Sequence, residues 1–450
     1  MSKDEYLITD APLKALTVFA MPMILGSFFQ QIYNMADSII VGQFVGSSAL
    51  AAVGACAALT NVFICVALGA GVGAGVLVSR YFGARDYGKM KTIVSTSLIS
   101  FLVLSILLGI FGFCFSHSMM SLLQTPPDIL DEAVLYLRVY FVGFPFLFMY
   151  NILSTMFTSI GESRIPLVLL IFSSVLNIFL DILFIVPFHM GVAGAAWATI
   201  LSQFFSAVLS LVVGLKNFPI LHLHREDFTD LKDTAILHLK TGFPMGFQMS
   251  VMCIGQLAMQ AVVNSLGTAA VAGYTAASKA DQLSVLVNNA MMTAISNYVA
   301  QNFGAGRWDR IRQGVRACLI QTEAFNLIMC IGILLLRHPI VRMFLSDPTK
   351  EIYHYSDMYL TIVAPFYFVL GLLAVYRTSI QSMQNGKAPF AACMIELVMR
   401  IAATVGLSGI IGYTSVCIAS PMAWIGACAL LIPVYYKMMK GNCAALLRME

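Results

Sequence analysis

Long apolar runs make up most of the chain, broken at short intervals by clusters of charge, Gly and Pro. Runs such as 92–116 and 165–188 stay apolar far beyond the roughly five or six residues of an ordinary strand. Nor do they alternate apolar with polar residues, as the strands of an outer-membrane barrel do. A helix needs about 20 residues to cross the hydrocarbon of a bilayer. Hydropathy and turn signals therefore predict twelve spans, near 14–43, 49–79, 92–116, 132–160, 165–188, 191–215, 237–266, 270–300, 313–336, 354–384, 389–411 and 416–438. The predicted fold class is an all-α polytopic membrane protein with short loops and no separate soluble domain.

Composition agrees and narrows the choice. Of 450 residues, 59% are hydrophobic and 11% charged, against about 25% charged in soluble domains; mean hydropathy is +0.85. A water-soluble globular protein is excluded. The ten Cys form no C-x-x-C pair and lie almost all inside apolar runs, so they read as small core residues rather than a disulfide frame or zinc site. The polar start MSKDEYLITD has no cleavable signal pattern, and the first span is expected to insert the chain by itself.

The distribution of positive charge orients the spans. With both termini cytoplasmic, nineteen of the 26 basic residues fall inside, including those at 80, 85, 89, 91, 307, 310, 312 and 316. Four fall outside (138, 337, 342 and 350) and three within spans (279, 377 and 400). The opposite orientation would break the positive-inside rule.

The chain also repeats itself. Phe82-Gly83-Ala84 matches Phe303-Gly304-Ala305 at an offset of 221, and Pro22/Pro244, Gly46/Gly267, Pro145/Pro365 and Pro166/Pro389 match at 220 to 223. Six spans per half is an even number, so both halves insert the same way up and are related by a pseudo-two-fold along the membrane normal. The expected division is an N-terminal six-helix bundle over 1–215, a cytoplasmic connection over 216–236 and a C-terminal six-helix bundle over 237–450. Two like-oriented bundles suit an alternating-access transporter.

Particular stretches carry a resemblance. "QQIYNMADSIIVGQFVGSSALAAVG", "FGARDYGKMK", "VLNIFLDILFI", "AASKADQL" and "QNFGAGRWDRIRQGVR" resemble the multidrug and toxic compound extrusion (MATE) family, and the acid in span 1 resembles its DinF-type branch. The resemblance covers nearly the whole chain. It implies a 6+6 bundle in the bacterial cytoplasmic membrane that exports organic compounds in exchange for H⁺ or Na⁺, with no other cofactor.

A carboxylate inside a bilayer is expensive and is a functional hypothesis by default. Asp37 shares a helix face with Asn34, Tyr33 and Gln30, and Asp181 shares one with Asn177. At roughly 1.5 Å per residue, Asp37, Asp181 and Thr199 lie about 10 Å below the outer ends of their spans. Two carboxylates, an amide and a hydroxyl suit Na⁺ through oxygen ligands, and equally suit a proton shared between neighbouring acids. Alternatively, Asn177 and Asp181 simply bond neighbouring helices. The resemblance places Asp37, Asn177, Asp181 and Thr199 on the cation-site positions of the N-terminal half. Gln30, Tyr33, Asn34, Gln256, Lys279 and Asp281 are the substrate-cavity candidates.

In the second half, Glu396 and Arg400 are spaced i, i+4 with the acid first, the better order for a helix pair. Arg377 lies at similar depth and could pair between helices or form an inner gate. The resemblance also exposes a departure: where NorM-type relatives carry acids in spans 7 and 10, this chain offers Gln256, Gln260 and Arg377.

Other signals have plainer readings. "GAGVGAG" (69–75) lies inside span 2 and suits close helix contact better than phosphate. His222 and His224 read as solvated loop. No Walker, G-x-S-x-G or H-E-x-x-H sequence occurs, and the seven His sit at span ends or in loops, so neither ATP nor an embedded enzyme is indicated. Arg307, Arg310, Arg312 and Arg316 suit anionic lipid rather than nucleic acid. The resulting expectation is a monomeric, cation-coupled antiporter of small amphiphilic or cationic drug-like compounds. Its rival is a lipid-linked precursor flippase of the same wider superfamily, for which Lys279, Arg377 and Arg400 speak.

Overall fold

The protein is described by a computed structural model covering residues 5–123, 125–218, 222–228, 231–344 and 349–446, and all regular structure among these is helical. Lys3 and Arg448 of the basic set, and the side chain of Cys443, lie outside the described residues. After a single turn at Tyr6–Thr9 come span 1 (Pro12–Phe44), span 2 (Ser47–Gly83), span 3 (Tyr87–Leu122), span 4 (Pro127–Val142 and Phe144–Ser159), span 5 (Arg164–Ile185) and span 6 (Gly191–Asn217). Span 7 (Leu231–Ser265), span 8 (Thr268–Gly304), span 9 (Trp308–Phe344), span 10 (Lys350–Val363 and Tyr367–Ser382), span 11 (Lys387–Ile401 and Leu407–Ile411) and span 12 (Thr414–Leu446) follow.

Twelve traverses were expected and twelve are found, but several are longer or less regular than hydropathy suggests. Nine described helices are long and apolar enough to cross a membrane, and the bent pair of span 4 makes ten. Span 4 bends by 50° between its two helices. The break falls at Gly143, followed by Pro145; a Cβ on Gly143 would lie 2.3 Å from Ile200 Cγ1 of span 6. Span 10 breaks at the matching proline, with a 3₁₀ turn at Ala364–Phe366, and span 11 carries a π-helical stretch at Ala402–Gly406. Hydropathy averages over such breaks and cannot see them. The segment expected as a loop over 216–236 holds a short 3₁₀ turn at Arg225–Phe228, and span 7 already begins at Leu231.

The internal repeat is visible in backbone detail. Spans 2 and 8 are each 37 residues long, and each starts after a glycine with positive φ, Gly46 at 125° and Gly267 at 99°. An L side chain is strained in that region, which explains why both halves place Gly there. After span 2, Asp86 caps span 3 by accepting from Lys89 N at 3.2 Å, one of the four orphan donors of a helix start.

Many large apolar side chains face outward, among them Leu107, Ile110, Leu335 and Val398, as expected where hydrocarbon is the solvent. The inner faces carry small and aromatic residues. Phe63, Phe141 and Phe144 interlock edge to face within the first half, with centroids 4.7–5.7 Å apart, and Phe148 lies tilted against Phe144 at 5.6 Å. The GAGVGAG stretch provides close helix approach: a Cβ on Gly69 would lie 2.4 Å from Gly246 Cα, and one on Gly73 2.5 Å from Gly242 Cα. Spans 2 and 7 thus touch backbone to backbone through paired G-x-x-x-G faces.

The chain divides into two compact units. Unit 1 has Met21–Gly246 as its body; unit 2 comprises Tyr6–Ala20 and Phe247–Glu450. Spans 1 and 7 each contribute to both, and the changeovers lie next to Pro22 and Pro244. The units therefore differ from a division by sequence at 215 and 237. In unit 2 the N-terminal segment is held by hydrogen bonds: Asn302 Nδ2 and Arg310 Nη2 donate to Leu7 O (3.1 and 3.3 Å), Arg310 Nη2 to Asp10 O (2.6 Å), and Arg307 Nη1 to Ile8 O (3.1 Å).

Candidate cation site

Unit 1 assembles a polar site from spans 1, 4, 5 and 6. Span 5 buries Ser173, Ser174, Asn177 and Asp181 on one face, the i, i+3/i+4 stripe of a helix turned inward. Asp181 is 0% exposed and Asn177 1%. With the Asn177 amide oriented to satisfy both its ends, it donates to Asp181 Oδ2 at 2.9 Å and accepts from Thr199 N at 3.2 Å. Asn177 thereby ties span 5 to span 6 and fixes the carboxyl of Asp181.

The Asp37 carboxyl from span 1 meets that of Asp181 at hydrogen-bonding range. Oδ1 of each acid is enclosed and receives no donor among the described residues. Two carboxyls in contact without a donor between them are held together only by a shared proton or a bound cation. The Tyr33 hydroxyl, one turn before Asp37, reaches the Thr199 side chain. Of the residues singled out from sequence, Asp37, Asn177, Asp181, Thr199 and Tyr33 come together here. Gln30 and Asn34 are exposed on span 1.

Two further residues complete the wall. Tyr136 and Tyr140 stack on one another, 6.0 Å between centroids at 17°; both neighbour Tyr33, and Tyr136 also lies near Asp37. The bend at Gly143 directs the first helix of span 4, and with it both rings, toward the acids. Sequence reasoning passed them over because i, i+4 aromatics in an apolar run look the same whether they face lipid or a site. Their one signal was the Gly-x-Pro break just after them.

In unit 2 the second-half candidates separate. Lys279 and Gln256 are exposed, whereas Asp281 turns inward beside the Tyr367 hydroxyl, its Oδ1 enclosed. Glu396 is ion-paired with Arg377 of span 10, not with Arg400 on its own helix. The i, i+4 spacing favours the local pair only at a surface; here all three are buried, at 3%, 7% and 6% exposure, and packing between spans 10 and 11 decides the partner. Arg400 instead lies near Tyr274 and Tyr359, its chain against Gly255, where a Cβ would stand 3.1 Å from both Cδ and Nη1.

His222 Nε2 bonds the Leu215 carbonyl, while His224 stays exposed in its loop, only its backbone N donating to Asp227 Oδ2 at 2.7 Å. No group of three or more His, Cys, Asp or Glu suited to a metal occurs among the described residues.

Comparison with known proteins agrees with this architecture. The MatE family model matches residues 22–183 and 244–405, one match in each half. The chain is 30% identical to the probable multidrug resistance protein YpnP of Bacillus subtilis, over 97% of this chain and 94% of that one. It is 24% identical to the multidrug export protein MepA of Staphylococcus aureus, over 91% and 92%. A solved multidrug resistance MATE transporter of the MOP superfamily, in an outward-facing conformation, superposes with a TM-score of 0.91 at 22% identity, covering 98% of this chain and 99% of that one. The chain therefore belongs to the MATE family of multi-pass membrane transporters, with twelve transmembrane helices in two bundles.

Proposed function

We propose that this protein exports small amphiphilic or cationic organic compounds in exchange for H⁺ or Na⁺, with Asp37 and Asp181 as the coupling pair. The reading extends to a monomer in the bacterial cytoplasmic membrane with both termini inside, and it gives no residue a catalytic part. The observation that carries it is the contact between two carboxyls with no donor on Oδ1 of either, braced by Asn177 and Thr199. Without a cation the two acids repel, and spans 1 and 5 separate around a wet site. Binding one H⁺ or Na⁺ removes that repulsion and draws the spans together, narrowing the space beside Tyr33 and Asn34. Cation and substrate then compete, and by linkage each weakens the other to the same extent. The membrane potential adds about 2.3 kcal/mol per charge per 100 mV to inward cation movement. The flippase reading relied on free basic charge, and Arg377 is already neutralised by Glu396.

The test is substrate efflux from proteoliposomes under separately imposed ΔpH and ΔpNa. Wild type should respond to one gradient and Asp37→Asn to neither, while Asp37→Asn still binds substrate in detergent. Normal gradient-driven efflux by a well-folded Asp37→Asn protein would falsify the coupling role.

A further inference from the structure

Unit 2 contains a second enclosed, donorless acid that the coupling pair leaves unused. Glu323 lies on span 9, half-buried, with both carboxylate oxygens enclosed and no partner for either among the described residues. It sits over Gly371 of span 10: a Cβ on Gly371 would meet Glu323 Oε1 at 2.6 Å and Asn326 Nδ2 at 2.5 Å. The missing side chain at Gly371 is what makes room for the carboxylate. Asn326, 1% exposed, donates through Nδ2 to Tyr367 O at 3.0 Å and accepts at Oδ1 from Asn288 Nδ2, also at 3.0 Å. Asn288, 3% exposed, spends its donors on Asn326 and on Ser284 O at 2.8 Å, which leaves its own Oδ1 enclosed and unpartnered. Glu323 on span 9 thus has two enclosed oxygens that accept nothing beside Gly371 of span 10, and Asn288 of span 8, bonded to the neighbouring Asn326, has one.

The amide donors go to Tyr367 O, Asn326 Oδ1 and Ser284, and none reaches Glu323 or Asn288 Oδ1; what best satisfies these oxygens brings positive charge without bringing an acceptor. Arg377 pairs with Glu396 and, among the described residues, forms no ion pair with Glu323. We infer that Glu323, with Asn288 and Asn326, forms a second monovalent-cation site in unit 2, occupied by a proton on Glu323 or by Na⁺. One carboxylate balances one positive charge, and hard cations choose carboxylate and amide oxygens. Intramembrane acids of this kind mark ion and proton sites. Cys428 of span 12 lies near both Glu323 and Arg377, while Asp281 of span 8 and Tyr367 of span 10 neighbour each other. The inference does not depend on Asp37 or Asp181, and its test is performed without them.

The full-length protein carrying Asp37→Asn and Asp181→Asn is melted across a Na⁺ series at fixed pH, and across a pH series without Na⁺. This background should keep a cation-dependent rise in Tm. Adding Glu323→Gln should abolish that dependence or weaken its midpoint at least tenfold, whereas adding Asp281→Asn should leave it. Response to Na⁺ at constant pH identifies Na⁺; response to acid alone identifies the proton. As a measurement needing no variant, a hydrophobic carbodiimide should modify Glu323 in wild type, read by peptide mass spectrometry, with labelling suppressed by Na⁺ or by alkali accordingly. A background indifferent to both cations, a response that survives Glu323→Gln, or labelling of Glu323 insensitive to both would overturn the site.

Discussion

Unit 1 and unit 2 descend from the same six-span pattern, yet they handle charge inside the membrane in opposite ways. Unit 1 sets two acids against each other, and neither forms an ion pair with a base among the described residues. Unit 2 marries an acid to a base, Glu396 to Arg377, and keeps Glu323 apart with amides for company. A carboxyl pair changes its interaction energy with every cation bound or released, which is the property the proposed cycle uses. An ion pair satisfied from within has the same energy throughout and serves as a fixed strut. The difference shows how a duplicated bundle divides labour without changing its fold.

Breaking the strut should have the largest effect on stability. Arg377→Met leaves Glu396 buried without its partner, and Glu396→Leu does the same to Arg377; each should cost about 3–5 kcal/mol. The double variant Arg377→Met/Glu396→Leu should recover most of that loss, because both desolvation penalties disappear together. Denaturation of the four proteins of this cycle in one detergent checks it. A double variant as unstable as the worse single would mean that the pair does more than neutralise itself.

A smaller effect sharpens the contrast in backbone approach. Gly73→Ala in unit 1 drives a methyl to 2.5 Å from Gly242 Cα and should cost about 1–3 kcal/mol through overpacking. Gly332→Ala in unit 2 meets nothing within 4 Å, and should gain about 0.5–1 kcal/mol from helix propensity alone. Opposite signs in thermal melts are the expected result; equal ones would remove the backbone contact from the account of unit 1.

The smallest concerns the repeated loop. Asp86 caps span 3, and Asp86→Ala should cost about 1 kcal/mol, read as earlier amide hydrogen exchange over residues 87–90. In unit 2 the matching position is Arg307, which holds the N-terminal segment rather than its own helix. Arg307→Ala should therefore loosen exchange near Ile8 and leave the start of span 9 unchanged.

Much of this organisation is legible in the sequence, for reasons that can be named. Gly46 and Gly267 betray themselves because only glycine tolerates their backbone, and Asp37, Asn177 and Asp181 because helical spacing puts polar groups on one face of apolar spans. The partner of Glu396 stayed open between Arg400 on its own helix and Arg377 at the same depth, since i, i+4 spacing describes one helix and does not weigh what a neighbouring span brings. Glu323 lies inside the expected span 313–336, but a single acid seven residues behind the basic stripe at 307–316 does not say which neighbouring spans enclose it. Tyr136 and Tyr140 needed the bend at Gly143. The changeover of Tyr6–Ala20 into unit 2 has no local signature, because its determinants are side chains some 300 positions away.

That distance sets a schedule for the chain's birth. Leu7 is synthesised 295 residues before Asn302 and 303 before Arg310. At about 5–20 residues per second the ribosome takes roughly 15–60 s to supply them. Span 1 must therefore enter the bilayer while the carbonyls of Leu7, Ile8 and Asp10 are still held by water at the membrane surface. A turn made before any of the spans is thus among the last to be finished.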